Sequence, residues 1–184
     1  MEKAIVENLV KSIWKVDTAH SKLGFSARHM VISEVEGQFR DFEINVDAGE
    51  NFSDSEVEVT IKTASIDTGN SDRDNHLKSS DFFDAENHPE IKFVSSSLER
   101  ISDEEFKLKG DLTIRGITEP IDLDVSFGGK VKDPWGNERV GFQLEGKLNR
   151  FDYDLKWNNL IETGGAVVGK IIKLNCHVEL IKAE

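Results

Sequence analysis

The sequence predicts an all-β, antiparallel fold of about eight strands, and two observations carry that prediction. Apolar and polar residues alternate with period two over segment after segment, as a strand with one buried face requires. The breaks between several segments are short and carry turn residues, and a short connection joins antiparallel neighbours, because parallel ones need a crossover of about a dozen residues or more.

In chain order, Leu23, Phe25 and Ala27 give a first, weak alternation, and Phe42, Ile44 and Val46 a second. Val57, Val59 and Ile61 alternate with Glu56, Glu58, Thr60 and Lys62; Ile91, Phe93 and Ser95 follow. Phe106, Leu108, Leu112 and Ile114 alternate with Lys107, Lys109, Asp111 and Thr113, and Ile121, Leu123, Val125 and Phe127 with Asp122, Asp124 and Ser126. Val140, Phe142, Leu144 and Leu148, then Ile172, Leu174, Cys176, Val178 and Leu180, complete the set. Arg115-Gly116, before Thr118-Glu119-Pro120, fits a tight turn, and Asp133-Pro134-Trp135-Gly136-Asn137 fits a hairpin loop. One-faced strands of this number make a sandwich or a closed barrel; closure also removes the edges that invite aggregation.

Residues 68–88 break the rhythm. This polar excursion holds Arg73, His76, Asp81 and the pair Phe82-Phe83; Asn70 or Ser71 is placed to cap a short helix to about Lys78, and Ser80 another turn. Its length in a β domain points to function. Residues 1–13 read as an extension to one domain spanning 1–184, and Ile5, Val6, Leu9, Val10 and Ile13 form a weak amphipathic-helix pattern.

With 23 Lys plus Arg against 35 Asp plus Glu, the net charge of −12 repels phosphate backbones and anionic headgroups, so neither nucleic acid nor stable membrane insertion is expected. No stretch approaches the roughly 20 apolar residues of a spanning helix, and Met1–Ser12 does not read as a signal peptide. The single Cys176 excludes an internal disulfide, and a reducing, cytoplasmic setting is the expectation.

The inward phase carries Phe25, Phe42, Ile44, Phe93, Phe106, Leu108, Leu112, Phe142, Leu144, Leu174 and Cys176, with the small residues Ala27, Gly110 and Gly146 among them. A barrel of about eight strands is filled by side chains or holds one small ligand. The small residues leave room for a ligand, or the two glycines mark bends that help the sheet close. Arg28, His29, Arg73 and His76 are candidates for a polar mouth around a ligand head; the alternative is that they anchor the excursion through Asp72, Asp74, Asp81 or Asp84. His20, His29, His76, His88 and His177 lack metal-ligand spacing. No Gly-x-Ser-x-Gly elbow occurs, Gly164-Gly165 lacks the Lys of a phosphate loop, and Cys176 on an apolar phase reads as a structural thiol. No catalytic residue, metal or cofactor is assigned.

Taken in order, the motifs resemble the YceI-like family of polyisoprenoid-binding, lipocalin-like proteins, from about Trp14 to Leu180. They are Trp14-Lys-Val16-Asp17 with His20-Ser21, Phe25, Arg28-His29-Met30, Gly37-x-Phe39 and Phe42; then Asn70-x-x-Arg73-Asp74-x-His76-Leu77, Ser80-x-Phe82-Phe83-Asp84 and Pro89-x-Ile91-x-Phe93. Gly110-x-Leu112-Thr113-Ile114-Arg115-Gly116-x-Thr118-x-Pro120, Asn149-Arg150-x-Asp152-Tyr153, Trp157 and Val168-Gly169-x-x-Ile172 follow. The resemblance implies a closed, elongated barrel whose apolar pore takes a long isoprenoid, quinone, fatty amide or fatty acid, often in a homodimer, with no catalytic residues. Two departures stand out. Asp152-Tyr153-Asp154 replaces the Asp-Phe-Gly of many relatives, so a different chain direction is expected there, and the secretion signal common among them is not evident. Two other readings stay open: an enzyme acting on a lipid through His29 or His76, and an interaction module with a filled barrel that presents Phe82, Phe83 or the N-terminal segment.

Overall fold

Antiparallel pairing runs all the way round the molecule and returns to its start. The computed structural model describes residues 11–159 and 167–184. The strands are β1 (Ser12–Val16), β2 (Lys22–His29), β3 (Ser33–Phe39), β4 (Phe42–Ala48), β5 (Glu56–Lys62), β6 (Ile66–Asp67), β7 (Glu90–Arg100), β8 (Glu105–Ile114), β9 (Ile117–Lys132), β10 (Glu138–Asn149) and β11 (Val168–Lys182); the helix α1 is Ser71–Lys78.

Three pairs of these segments are single staves interrupted by a kink. β1 and β2 both lie along β11, separated by the 3-10 turn Thr18–His20. β3 and β4 run on across Arg40-Asp41, pairing with β2 and β1 in turn, and β5 and β6 continue across Thr63–Ser65 to pair with β4 and β3. The register sets the three kinks side by side, since Phe39 lies opposite both Leu23 and Ile66. Counted as staves, the strands are the eight expected, in a closed up-and-down barrel ordered as in the sequence. Closure is made where Trp14, Lys15 and Val16 pair with Lys182, Ile181 and Leu180, and where β2 pairs with residues 168–177 of β11. Ile13 is therefore a strand residue rather than the end of a helix; Ile5, Val6, Leu9 and Val10 lie outside the described residues.

Arg115 and Gly116 both have positive φ, 52° and 73°, the two-residue geometry whose twist matches its flanking strands. In the 133–137 loop the Asp133 carboxylate accepts from the Trp135 and Asn137 backbone N–H groups and from Arg139 Nε. In α1, Asn70 is the N-cap, its side chain accepting from Arg73 N at 3.0 Å. The turn after it leans on Ser79, not Ser80: Ser79 Oγ donates to the His76 carbonyl and accepts from Asp81 N. Asp154 takes φ 59°, the left-handed conformation that glycine favours.

One end of the barrel carries the β2–β3 turn, the 68–88 excursion, the Arg115-Gly116 turn and the segment after Asn149. The other end carries the 49–55 loop, the 101–104 turn and the 133–137 loop.

Candidate functional site

The inward phase of the staves does not fill the centre. Leu123, Phe142, Leu144, Ile172, Leu174 and Cys176 face inward yet are only half-buried. They border a cavity of about 580 Å³ running up the barrel, which suits a single ligand molecule. It touches Val168 at one end of β11 and Leu180 at the other, roughly 40 Å along the strand at about 3.3 Å per residue.

Of the residues expected to line a lumen, Phe25, Ala27, Ile44, Phe93, Leu108, Leu112, Phe142, Leu144, Leu174 and Cys176 do. Phe42, Phe106, Gly110 and Gly146 do not. Phe42 is buried in the wall cluster with Trp14, Ile44 and Val46, and Phe106 in the cluster with Phe93, Leu108, Ile121 and Val125. A Cβ on Gly110 would stand 2.5 Å from Phe93 Cζ, and one on Gly146 2.5 Å from Leu123 Cδ2. The two glycines are seats for neighbouring side chains and do not themselves border the cavity. The bulge near Gly110 is on β7, between Ser95 and Ser97.

The polar mouth candidates gather at one end of this cavity, and Arg28, His29, Arg73 and His76 all border it. Arg73 Nε donates to Thr68 Oγ1 at 2.7 Å and its Nη2 to the Thr68 carbonyl at 2.8 Å. His76 Nε2 is 2.9 Å from Asp81 Oδ2, and its ring stands edge-on between Phe82 and Trp157. Both side chains thus anchor the excursion as well as bordering the mouth. Arg28 Nη2 donates to the Val31 carbonyl at 2.8 Å and holds the β2–β3 turn. The His29 ring makes no side-chain hydrogen bond among the described residues, while its backbone carbonyl accepts from Ile32 N at 3.2 Å. Phe82 is buried and Phe83 packs with Phe39 in the core, so neither is presented to a partner. With the interior hollow, the filled-barrel reading is set aside.

Sequence reasoning did not single out several lining residues. Phe39, Arg150 and Trp157 appear only within the family motifs, and nothing in the alternation marks Phe52. Arg150, 2 % exposed, has no carboxylate partner among the described residues. Its Nε donates to the Gly169 carbonyl at 2.9 Å, Nη1 to the carbonyls of Leu155 and Trp157, and Nη2 to that of Val168 at 3.2 Å. Burial holds this guanidinium below its usual pKa. Burial likewise pushes the Cys176 thiol up to about 11, so it is protonated at neutral pH and a poor nucleophile.

Among the described residues, Asp17, His20 and Glu179 are the one group with the spacing of a metal site. Arg139 already occupies the centre: its Nη1 is 2.7 Å from both Asp17 Oδ2 and Glu179 Oε1. His177 is exposed on the outer face. No helix among the described residues is long and apolar enough to cross a membrane.

An up-and-down, eight-stave barrel around an apolar lumen, with a helical excursion at one end, defines a lipocalin-like cavity protein. The chain belongs to the YceI-like domain family, whose model matches residues 14–180. It is 40 % identical over 170 residues to a UPF0312 protein of Staphylococcus aureus strain MSSA476, covering 91 % of this chain and 96 % of that one. The crystal structure of the Campylobacter jejuni YCEI protein is similar with a TM-score of 0.74 and 37 % identity, over 85 % of this chain and 90 % of that one. A polyisoprenoid binding domain from Saccharophagus degradans shares the fold, with a TM-score of 0.67 at 13 % identity, over 92 % of this chain and 98 % of that one.

Proposed function

We propose that this protein binds a long-chain isoprenoid or similar amphiphile in the barrel lumen and carries or stores it without chemical change. The observation that carries the reading is the ring of inward aliphatic and aromatic side chains left half-buried around a continuous hollow. An apolar chain in that hollow removes their remaining surface from water. Each methylene contributes roughly 0.8 kcal/mol, so a five-carbon unit adds about 4 kcal/mol before ordering costs. Several units offset the loss of chain freedom and leave micromolar binding or tighter. The apolar tail lies against Phe25, Ala27, Ile44, Leu112, Phe142, Leu144 and Leu174, and the head stays near Arg28, His29, Arg73 and His76. The fold shared with a polyisoprenoid binding domain of Saccharophagus degradans supports this choice of ligand class.

The test is organic extraction of purified protein with mass spectrometry of the extract, followed by titration of the delipidated protein with a polyprenol. The expected result is a long apolar chain in near-stoichiometric amount, and saturable uptake. Ala27→Trp places an indole in the lumen: uptake should fall at least tenfold while stability changes by less than about 1 kcal/mol, below the 1–3 typical of an overpacked core. Protein that emerges lipid-free and takes up no polyprenol contradicts the proposal. Turnover of a bound lipid, lost in His29→Ala with retention unchanged, would favour an enzyme instead.

A further inference from the structure

The polar candidates border the lumen at the excursion end, and toward its other end aromatic rings border it. Trp14 from β1, Phe142 from β10 and Phe127 from β9 come from staves and are fixed by the sheet. Phe52 comes from the loop between β4 and β5. Its ring centroid lies 5.3 Å from that of Trp14 and 5.2 Å from that of Phe142, which in turn is 5.6 Å from that of Phe127. Of the four, Phe52 and Phe142 border the cavity; Trp14 and Phe127 back them.

The loop holds Phe52 in place against backbone preference. Asn51, Phe52 and Asp54 have φ of 56°, 61° and 55°, the left-handed region that a bulky side chain such as Phe rarely enters. The conformation is over-determined by its contacts: Phe52 N donates to the Gly49 carbonyl at 3.2 Å, and buried Ser55 donates through Oγ to the Phe52 carbonyl at 2.7 Å. Gly49 allows the close return of the chain, since a Cβ there would meet the Ser53 carbonyl oxygen at 2.6 Å. Strain kept this way marks a position whose side-chain placement matters.

We propose that Phe52 is the chain-length stop of the lumen: an apolar ligand entering at the mouth runs toward the far end until its terminus meets this ring, so the ring sets the longest chain held entirely inside. This deepens the lipid-binding reading above and rests on it. Trimming the ring opens the space before Trp14; enlarging it shortens the tube. Each methylene that finds new room gains about fourfold in affinity.

The experiment offers delipidated wild type, Phe52→Ala, Phe52→Leu and Phe52→Trp the same equimolar ladder of saturated fatty alcohols. The retained chains are read by mass spectrometry, and thermal melts verify that each variant is folded. The expected result is a sharp upper length in the wild type, displaced to longer alcohols in Phe52→Leu and further in Phe52→Ala, and to shorter ones in Phe52→Trp. Phe52→Leu and Phe52→Trp retain an apolar stopper, so the order of lengths is readable even where Phe52→Ala melts. One upper length shared by wild type, Phe52→Leu and Phe52→Trp overturns the proposal while leaving lumen binding intact. A wild type that retains no alcohol of any length overturns both.

Discussion

Arg150 brings a guanidinium into the barrel end and surrounds it with backbone carbonyls, which ties the segment after β10 to the start of β11. Arg150→Met keeps most of the apolar stem and removes a guanidinium donor from four carbonyls, of which that of Val168 keeps Asn158 Nδ2. The expected loss is about 3 kcal/mol, read as a fall in Tm of about 6–12 °C for a chain of this size; an unchanged melt contradicts this account of the residue. Such a role is not legible from alternation, because Arg150 stands outside every strand and only its place in Asn149-Arg150-x-Asp152 draws notice. The four inward residues that miss the lumen teach a related point. Phase says which face of the sheet a side chain takes, but whether it reaches the hollow depends on its neighbours, as Phe93 does over Gly110.

At the scale of elements, turns decided what could be read. Arg115-Gly116 offers the glycine that a left-handed position prefers, and both strands beside it are legible. The β2–β3 turn has the same backbone form, with Ile32 N donating to the His29 carbonyl at 3.2 Å and φ of 48° and 68° at Met30 and Val31. Its sequence carries no Asn, Asp or Gly, so the turn and β3 after it gave no signal. A β-branched residue in that conformation is strained. Replacing Met30 and Val31 by Asn and Gly supplies the favoured residues and is expected to raise stability by about 1 kcal/mol, or Tm by about 2–4 °C. A lower Tm in the double variant would show that the apolar tip makes contacts worth more than the strain. The α1 helix lay at the legible extreme: the residues offered Asn70 or Ser71 as its cap and an end at about Lys78, and Asn70 is the cap.

For the whole molecule, closure depends on the seam that β11 makes with β1 and β2, and charge reinforces it. Arg139 on β10 bonds to Glu179 on β11, to Asp17 in the kink between β1 and β2, and to Asp133 in the 133–137 loop, at 2.7 Å each. The Arg139 guanidinium holds the Asp17 and Asp133 carboxyls below their usual range. Carboxyls depressed in the folded state contribute stability that is fully present above their unfolded pKa of about 3.9 and is lost as pH falls through the folded values. Melts taken from pH 7 downward should therefore stay level to about pH 5 and then decline. Arg139→Met should melt lower at neutral pH and show a shallower acid decline; equal declines in both would remove the seam from this role. The number of staves and their antiparallel order follow from alternation and short turns. The hollow does not, because alternation records a face and not the distance across the barrel to the opposite wall.

The central claim is that this hollow takes an apolar chain end to end. The most direct measurement is anomalous diffraction from crystals of delipidated protein grown with a long-chain alcohol brominated at its far terminus. The account predicts one strong bromine peak inside the barrel, near Phe52 and Phe142, with continuous density back to His29 and His76. Bromine peaks confined to the outer surface, around a lumen closed by repacked side chains, would contradict it.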